Sequence, residues 1–294
     1  MSYTEHAFFF DCEGEALPGI VAVPEAETGV GVLIVVGGPQ YRVGSHRQFV
    51  TLARGLAAAG IACMRFDCRG MGDGAGDSRE FDAHANDIEA AVERFRLAVP
   101  CLRRVLLLGL CDGATGSALY VGSGHGVDGL VLINPWVCTE EGASRTFLRH
   151  YYARRILDGA WWRKLTSGQF GVRDSLRHFM MNTRNSLQSA FKPAARQLPE
   201  QFLDALQRAS CPCLVVLSGR DLVAREFEDS MKKLPGFGEL LSSGRVEMIR
   251  VDAADHTFSL SDTAAALTEI GADWIRRTWT SSGALASDEQ LRSK

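Results

Sequence analysis

Three residues of this sequence are of the types that nucleophilic acyl chemistry requires. Cys111 carries a thiol, Asp221 a carboxylate and His256 an imidazole, and they follow one another along the chain in that order. A thiol becomes an effective nucleophile when a base takes its proton, and a third group commonly orients that base. We therefore predict a triad in which Cys111 attacks a carbonyl carbon, His256 transfers protons and Asp221 holds the imidazole ring.

The five residues around Cys111 form the pattern G-x-C-x-G, with Gly109 and Gly113 at its ends. An apolar run precedes it and a run of small residues follows, which is typical of a strand, a sharp turn and a helix. A Cβ at either glycine would collide with the neighbouring strand or helix. The turn places the sulfur at a helix N-terminus, which favours the thiolate. The alternative is an inert buried cysteine in a small-residue turn.

Two other acidic residues compete with Asp221 for the role of orienting His256. Asp252 and Asp255 lie in the same post-strand segment as the histidine, and Asp255 adjoins it in sequence. The side chain of an adjacent residue is expected to point elsewhere. Asp221 follows a predicted strand, where the acid of such a triad usually lies, so the sequence favours Asp221.

An oxyanion hole is predicted from the N–H of Asp112 and one N–H of the turn at residues 37–40. Pro39 has no N–H, so Gly38 or Gln40 is left as the second donor. The Asp112 carboxylate opposes thiolate formation at Cys111 but suits the start of a helix. The sequence leaves that balance open.

Candidate substrate contacts lie in the loop that follows this turn and just after the predicted strand at residues 130–133. The loop offers Tyr41, Arg42 and His46, with Gln40 beside them, and the second place offers Trp136. An ordinary polar loop is the alternative for the first group.

Residues 137–200 interrupt the alternation of strands and helices and are rich in arginine and aromatic residues. They carry eleven basic and five acidic side chains, a net charge of +6 in a chain of net charge −3. We predict a helical cap here, in which Arg154 and Arg155 attract an anionic substrate such as a phosphopantetheine thioester, a nucleotide or an acidic sugar. A solvated helical surface is the alternative.

Strands alternate with helices elsewhere, which predicts a mostly parallel sheet with sites at the carboxyl ends of its strands. The predicted core comprises residues 1–136 and 201–280, and residues 281–294 form a polar tail. Predicted strands cover residues 7–12, 19–23, 29–36, 61–66, 105–108, 130–133, 213–217 and 246–251. Predicted helices cover residues 46–59, 83–99, 114–121, 225–234 and 262–279.

Composition indicates the cellular compartment of the protein and the classes of ligand it is not expected to bind. The first fifteen residues lack a basic segment followed by a long apolar one, so no signal peptide is expected, and no run is long enough for a membrane helix. The eight cysteines are scattered without metal-ligand spacing, which favours reduced thiols in a cytoplasmic protein. No metal or cofactor is predicted, and the net charge of −3 gives no sign of nucleic-acid binding.

These motifs together resemble the α/β-hydrolase superfamily, over nearly the whole chain. The segments at residues 37–47 and 109–114 are similar to exosortase A system-associated hydrolases of the first type. That resemblance implies an α/β-hydrolase fold with an inserted cap and a link to bacterial exopolysaccharide production and protein sorting. The cysteine, and the absence of a histidine before the glycines at 37 and 38, depart from common esterases of the superfamily.

The leading hypothesis is a hydrolase acting on a small ester or thioester. An acyltransferase would use the same nucleophile with a sugar or amine as acceptor. A binding protein that keeps the fold without catalysis is the third possibility, against which the complete triad argues.

Overall fold

The computed structural model describes residues 1–26, 29–38, 40–78, 80–137 and 197–279. The chain divides into two compact units, residues 1–137 with 202–294, and residues 138–201. Almost all of the predicted cap, including Arg154 and Arg155, lies outside the described residues, and so does the predicted tail.

The first unit is built on a sheet of eight strands in the order β1-β2-β4-β3-β5-β6-β7-β8. β1 pairs antiparallel with β2 and β2 with β4, whereas all other neighbouring strands are parallel. The strands are Tyr3–Cys12, Glu15–Pro24, Val30–Val35, Ala62–Phe66, Arg104–Leu110, Gly129–Ile133, Cys213–Ser218 and Val246–Val251. β3 and β7 are buried throughout, as expected of central strands covered on both faces.

Seven α-helices occur among the described residues. They are α1 Gln48–Ala58, α2 Ala85–Ala98, α3 Asp112–Gly122, α4 Leu198–Arg208, α5 Leu222–Lys232, α6 Phe237–Ser242 and α7 Ser261–Trp279. Neighbouring residues of a strand point to opposite faces, so Leu33 joins one apolar core and Ile34 the other. The helices α1 and α7 cover the second core, and the remaining helices cover the first.

The predicted parallel sheet with helices on both faces is confirmed, and the differences lie at element ends. α1 begins at Gln48 because His46 and Arg47 have positive φ angles, which a helix cannot contain. α5 begins earlier than predicted because the Asp221 side chain caps it, accepting hydrogen bonds from two backbone N–H groups. Sequence periodicity did not reveal α4 and α6, and α6 has only six residues.

The parallel strands bring their carboxyl ends to one edge of the sheet. Gly37 follows β3, Cys111 follows β5, Asn134 follows β6, Asp221 follows β7 and His256 follows β8. The strand order makes β5, β6, β7 and β8 successive neighbours, so the segments that carry these residues lie side by side. The topology therefore assembles the candidate site from distant parts of the chain.

Candidate active site

Cys111 occupies a strained turn between β5 and α3. Its φ and ψ angles are 59° and −122°, which few residues other than glycine adopt, and it directly precedes the first residue of α3. Its carbonyl accepts the N–H groups of Ala114 and Thr115 at 3.1 and 3.2 Å. The cysteine is half-buried. The predicted nucleophile, at the N-terminus of α3, is thereby held in one backbone conformation.

The flanking glycines are required by close backbone approach. A Cβ at Gly109 would overlap the backbone of Gly113 and Ala114, where the helix begins. A Cβ at Gly113 would lie 2.5 Å from the carbonyl oxygen of Val35 in β3 and 2.9 Å from the nitrogen of Gly37. The steric reason predicted for the G-x-C-x-G pattern thus holds in the structure.

His256 is oriented by Asp221. The Nδ1 atom of the imidazole lies 2.7 Å from Oδ2 of the buried aspartate. The same carboxylate accepts the N–H groups of Val223 and Ala224, each at 3.2 Å. Because Nδ1 faces a carboxylate, the neutral ring carries its proton there, and Nε2 is the nitrogen that can take a proton. The start of α5 therefore fixes both the carboxylate and the ring.

The two competing carboxylates have other partners. Asp255 accepts the N–H groups of Thr257 and Ser259, at 3.2 and 2.9 Å, and the Ser259 hydroxyl. Although burial acts to raise it, these hydrogen bonds hold the pKa of Asp255 below its ordinary value. Asp252 is exposed and pairs with Arg250 at 3.1 Å. Of the three candidate carboxylates, Asp221 is thus the one that hydrogen-bonds to the imidazole of His256.

Asn134 and Ser218 support the His256 loop, and the sequence analysis did not assign them this role. The buried Asn134 amide donates to the His256 carbonyl at 3.0 Å and to the Ser218 hydroxyl at 2.8 Å. Ser218 in turn donates to the carbonyl of Asp255 at 2.8 Å. The available signal was an asparagine at a strand end, since asparagine tolerates the positive φ of 44° observed here.

The Cys111 main chain is tied to the same strand end. Its N–H donates to the carbonyl of Ile133 at 2.9 Å, and its carbonyl accepts the N–H of Trp136 at 3.2 Å. The hydroxyl of Thr115 donates to the Trp136 carbonyl at 2.7 Å. β6 is therefore bonded both to the Cys111 turn and, through Asn134, to the His256 loop. The direct meeting of sulfur and imidazole stays a prediction.

Asp112 lies against the predicted oxyanion donors. Its carboxylate accepts hydrogen bonds from the backbone of Gly38 and from the N–H of Gly113, the latter at 3.1 Å. Burial raises the pKa of this carboxyl, and the backbone hydrogen bonds act in the opposite direction. Gly38 has a φ of 60°, which glycine adopts without strain. The structure thus brings Asp112 and Gly38 together.

The loop after Gly38 is held by ion pairs. The guanidinium of Arg42 contacts the fully buried Asp67 and pairs with Asp73 at 2.8 Å, and its backbone N–H donates to Asp67 at 2.5 Å. Tyr41 beside it is exposed. Arg42 therefore anchors this loop to the one after β4. Contact of Arg42 or Tyr41 with a substrate stays a prediction.

The remaining predicted contacts adjoin the same region. His46 is bonded through Nε2 to the hydroxyl of Thr257, at 2.9 Å, beside His256. The ring of Trp136 meets that of Phe81 edge-on at 5.7 Å. The buried Oε1 of Gln40 and Nε1 of Trp136 have no hydrogen-bond partner in the described part of the chain. Polar groups of a ligand would satisfy such atoms.

An apolar pocket borders the residues next to the candidate triad. Leu110 and Ile133 line it from the strand ends, Phe258 from the His256 loop, and Phe49 and Leu52 from α1. With a volume of about 20 Å³ it has room for about one water molecule, so it is a small gap in the packed core and not a substrate pocket.

The described residues contain neither a candidate metal site nor a membrane-spanning helix. Among the described residues, no cluster of histidine, cysteine, aspartate or glutamate could hold a metal ion. In the same part of the chain, no helix is long and apolar enough to cross a membrane.

Comparisons with known proteins place this geometry in context. The family model described as the alpha/beta hydrolase family matches residues 32–270. No curated protein matches the sequence.

Solved structures similar to this chain include two hydrolases and a ligand complex. An esterase from Pyrococcus furiosus has a TM-score of 0.63 at 15% identity, covering 95% of this chain and 94% of its own. Est1E from Butyrivibrio proteoclasticus with ferulic acid bound has a TM-score of 0.60 at 14% identity, covering 92% and 98%. Dienelactone hydrolase from Anabaena variabilis has a TM-score of 0.59 at 15% identity, covering 94% and 99%. At such low identities the similarity establishes the fold alone.

Proposed function

Since this chain belongs to the alpha/beta hydrolase family, we propose that it cleaves an ester or thioester through an acyl-enzyme formed on Cys111. The observation that carries the proposal is the 2.7 Å hydrogen bond between His256 and Asp221, at the edge of the sheet where the strained Cys111 turn also lies. A buried carboxylate that orients an imidazole is the arrangement general-base catalysis needs.

The reaction follows from these roles in two halves. His256 Nε2 takes the Cys111 proton as the sulfur bonds to the carbonyl carbon, and Asp221 stabilises the imidazolium. The tetrahedral intermediate collapses when the bond to the leaving group breaks, and His256 returns the proton to the leaving alcohol or thiol. Water then attacks the enzyme thioester, losing a proton to His256, and the carboxylic acid leaves as the cysteine regains its proton.

An acyltransferase is the second candidate. The same enzyme thioester would be attacked by the hydroxyl or amine of an acceptor in place of water. The unpartnered buried atoms of Gln40 and Trp136 favour a polar group near the nucleophile, which a sugar acceptor or a polar substrate would supply. A non-catalytic binding protein would keep the fold without needing the Asp221–His256 pair.

The substrate class rests on sequence features. The basic segment at residues 137–200 supports an anionic substrate, with Arg154 and Arg155 as contacts. The resemblance to exosortase-associated hydrolases supports a role beside exopolysaccharide production. No disulfide joins the described cysteines, which supports a reducing, cytoplasmic setting.

The decisive experiment is acylation of the intact protein by p-nitrophenyl acetate and by acetyl-CoA, read by mass. We expect one acetyl group in the wild type, lost in Cys111→Ala and slowed in His256→Ala. Cys101→Ala is the matched control, because Cys101 is the exposed free thiol that unspecific acetylation would modify. An adduct that depends on Cys101 and persists in Cys111→Ala would refute the proposal.

Adding glycan or amine acceptors to the acylated protein separates the two reactions. Release of free acetate at an unchanged rate supports the hydrolase, and an acetylated acceptor supports the transferase.

A further inference from the structure

We propose, resting on the proposed function, that the carboxylate of Asp112 occupies the oxyanion hole of the resting enzyme and must leave before a substrate carbonyl is attacked. The oxyanion hole here means the N–H groups of Gly38 and Asp112. Asp112 then controls how readily the acyl-enzyme forms.

The geometry behind this is the position of the Asp112 carboxylate against the turn after β3. The N–H of Gly113 donates to this carboxylate at 3.1 Å, and the backbone of Gly38 also donates to it. A Cβ at Gly38 would lie only 3.4 Å from its Oδ2. A Cβ at Gly37 would overlap Oδ1 of Asp112, so the glycine leaves room for this carboxylate. The side chain therefore has a built position against the turn after β3.

The N–H of Gly38 is also one that the reaction needs. A tetrahedral intermediate is stabilised by N–H groups aimed at its oxyanion, here those of Gly38 and of the residue after the nucleophile. A carboxylate is a stronger acceptor than a neutral carbonyl oxygen, so Asp112 holds the N–H of Gly38 against an incoming substrate. An oxyanion formed beside it would meet a like charge. Acylation therefore requires the carboxylate to turn away.

Burial makes it easier for the Asp112 carboxylate to turn away. Burial raises the pKa of this carboxyl even though the backbone N–H groups of Gly38 and Gly113 favour its ionised form. The ionised side chain thus gives up hydration to lie there, and it regains hydration when it turns toward water.

The competing explanation is that Asp112 braces the turn at Gly37 and Gly38. In that case its removal would loosen the oxyanion hole and slow acylation. The two explanations predict opposite signs for the same substitution, which makes the proposal testable.

The test compares two reactions of Cys111. Alkylation by iodoacetamide forms no oxyanion and reports thiolate reactivity, which the Asp112 charge also affects. Acylation by p-nitrophenyl acetate needs the oxyanion hole. We expect Asp112→Ala to raise the ratio of acylation rate to alkylation rate by about tenfold, because no carboxylate then has to leave the oxyanion hole before the substrate is attacked. Asp112→Asn, which keeps the shape and one acceptor oxygen, should raise it less.

Asp229→Asn serves as the matched control, because it removes one exposed carboxylate from α5, which carries none of these donors. The ratio should not change in this variant. Thermal melting verifies that each variant is folded, and the Asn variant provides the test if the Ala variant does not fold.

An unchanged or lowered ratio in both Asp112 variants, with acylation at Cys111 still measurable, overturns this inference and leaves the proposed function intact. If neither the wild type nor any variant is acylated while alkylation of Cys111 proceeds, the proposed function fails and the inference with it.

Discussion

At the scale of single residues, Asp221 combines two tasks that a substitution can separate. It caps α5 through the N–H groups of Val223 and Ala224 and holds the Nδ1 side of His256. Both tasks use carboxylate oxygens, but only the second depends on the negative charge that stabilises an imidazolium.

We therefore expect Asp221→Asn to fold normally and to lose most of its activity. Asparagine is as good an N-cap as aspartate, so the free energy of unfolding should change by less than about 1 kcal/mol. The rate of acylation should fall on the order of 10³ to 10⁴-fold, because the imidazole loses its tautomer preference and its counter-charge. Stopped-flow acylation and urea unfolding measure the two effects. Asp252→Asn is the control, and equal losses in the two variants would contradict the assignment.

The residues that could be predicted from the sequence are those with a local signature. Cys111 was recognisable from its flanking glycines, and Asp221 and His256 from their order after predicted strands. Asn134 was not assigned, because its contacts with Ser218 and His256 span 84 and 122 residues. The position of the Asp112 side chain likewise depends on the turn at Gly38, which only the folded sheet brings near.

At the scale of elements, the sequence predicted the buried strands better than the ends of the helices. Continuous apolar runs identify central strands such as β3 and β7, because those strands are covered on both faces. Helix ends depend on capping contacts and backbone angles, as at Asp221 and at His46. These are individual interactions, not periodic patterns, and periodicity does not detect them.

The edge strand β1 is joined to the rest of the core through Glu5. Its carboxylate accepts from Arg54 of α1, at 3.0 Å to Nε, and from the buried Arg65 of β4 at 3.2 Å. The hydrogen bond from Arg54 is the main cause that lowers the pKa of Glu5 below 4.5. A group with a lowered pKa stabilises the fold above its unfolded pKa, and that stabilisation is lost as the pH falls through the folded value.

Glu5→Gln should therefore lower the free energy of unfolding at neutral pH by about 1 kcal/mol. The difference in the free energy of unfolding between variant and wild type should narrow as the pH falls below 4.5, because Glu5 of the wild type then also becomes neutral. Urea unfolding at the two pH values measures the gap, with the exposed Glu239→Gln as control. A gap of the same size at both pH values would show that Glu5 acts through packing.

At the scale of the whole molecule, charge is unevenly distributed along the chain. Residues 137–200 carry a net charge of +6 while the entire chain carries −3, so the remainder is negative. A segment with this net positive charge attracts anions over a distance of about one Debye length, roughly 8 Å at physiological salt. In the proposed enzyme, the strand ends of the parallel sheet carry the triad, and we propose that the basic segment selects among substrates by charge.

If the basic segment attracts anions, its arginines should affect the KM of a charged substrate and not that of a neutral one. Arg154→Ala with Arg155→Ala should raise KM for acetyl-CoA severalfold at low salt and leave KM for p-nitrophenyl acetate unchanged, because only the first substrate is an anion. Added salt should raise the wild-type KM for acetyl-CoA toward that of the variant by screening the same attraction. Arg276→Ala with Arg277→Ala, which removes the same charge from the end of α7, is the matched control. If both double variants change KM equally, net charge accounts for the effect. If neither does and salt has no influence, the basic segment plays no part in substrate capture.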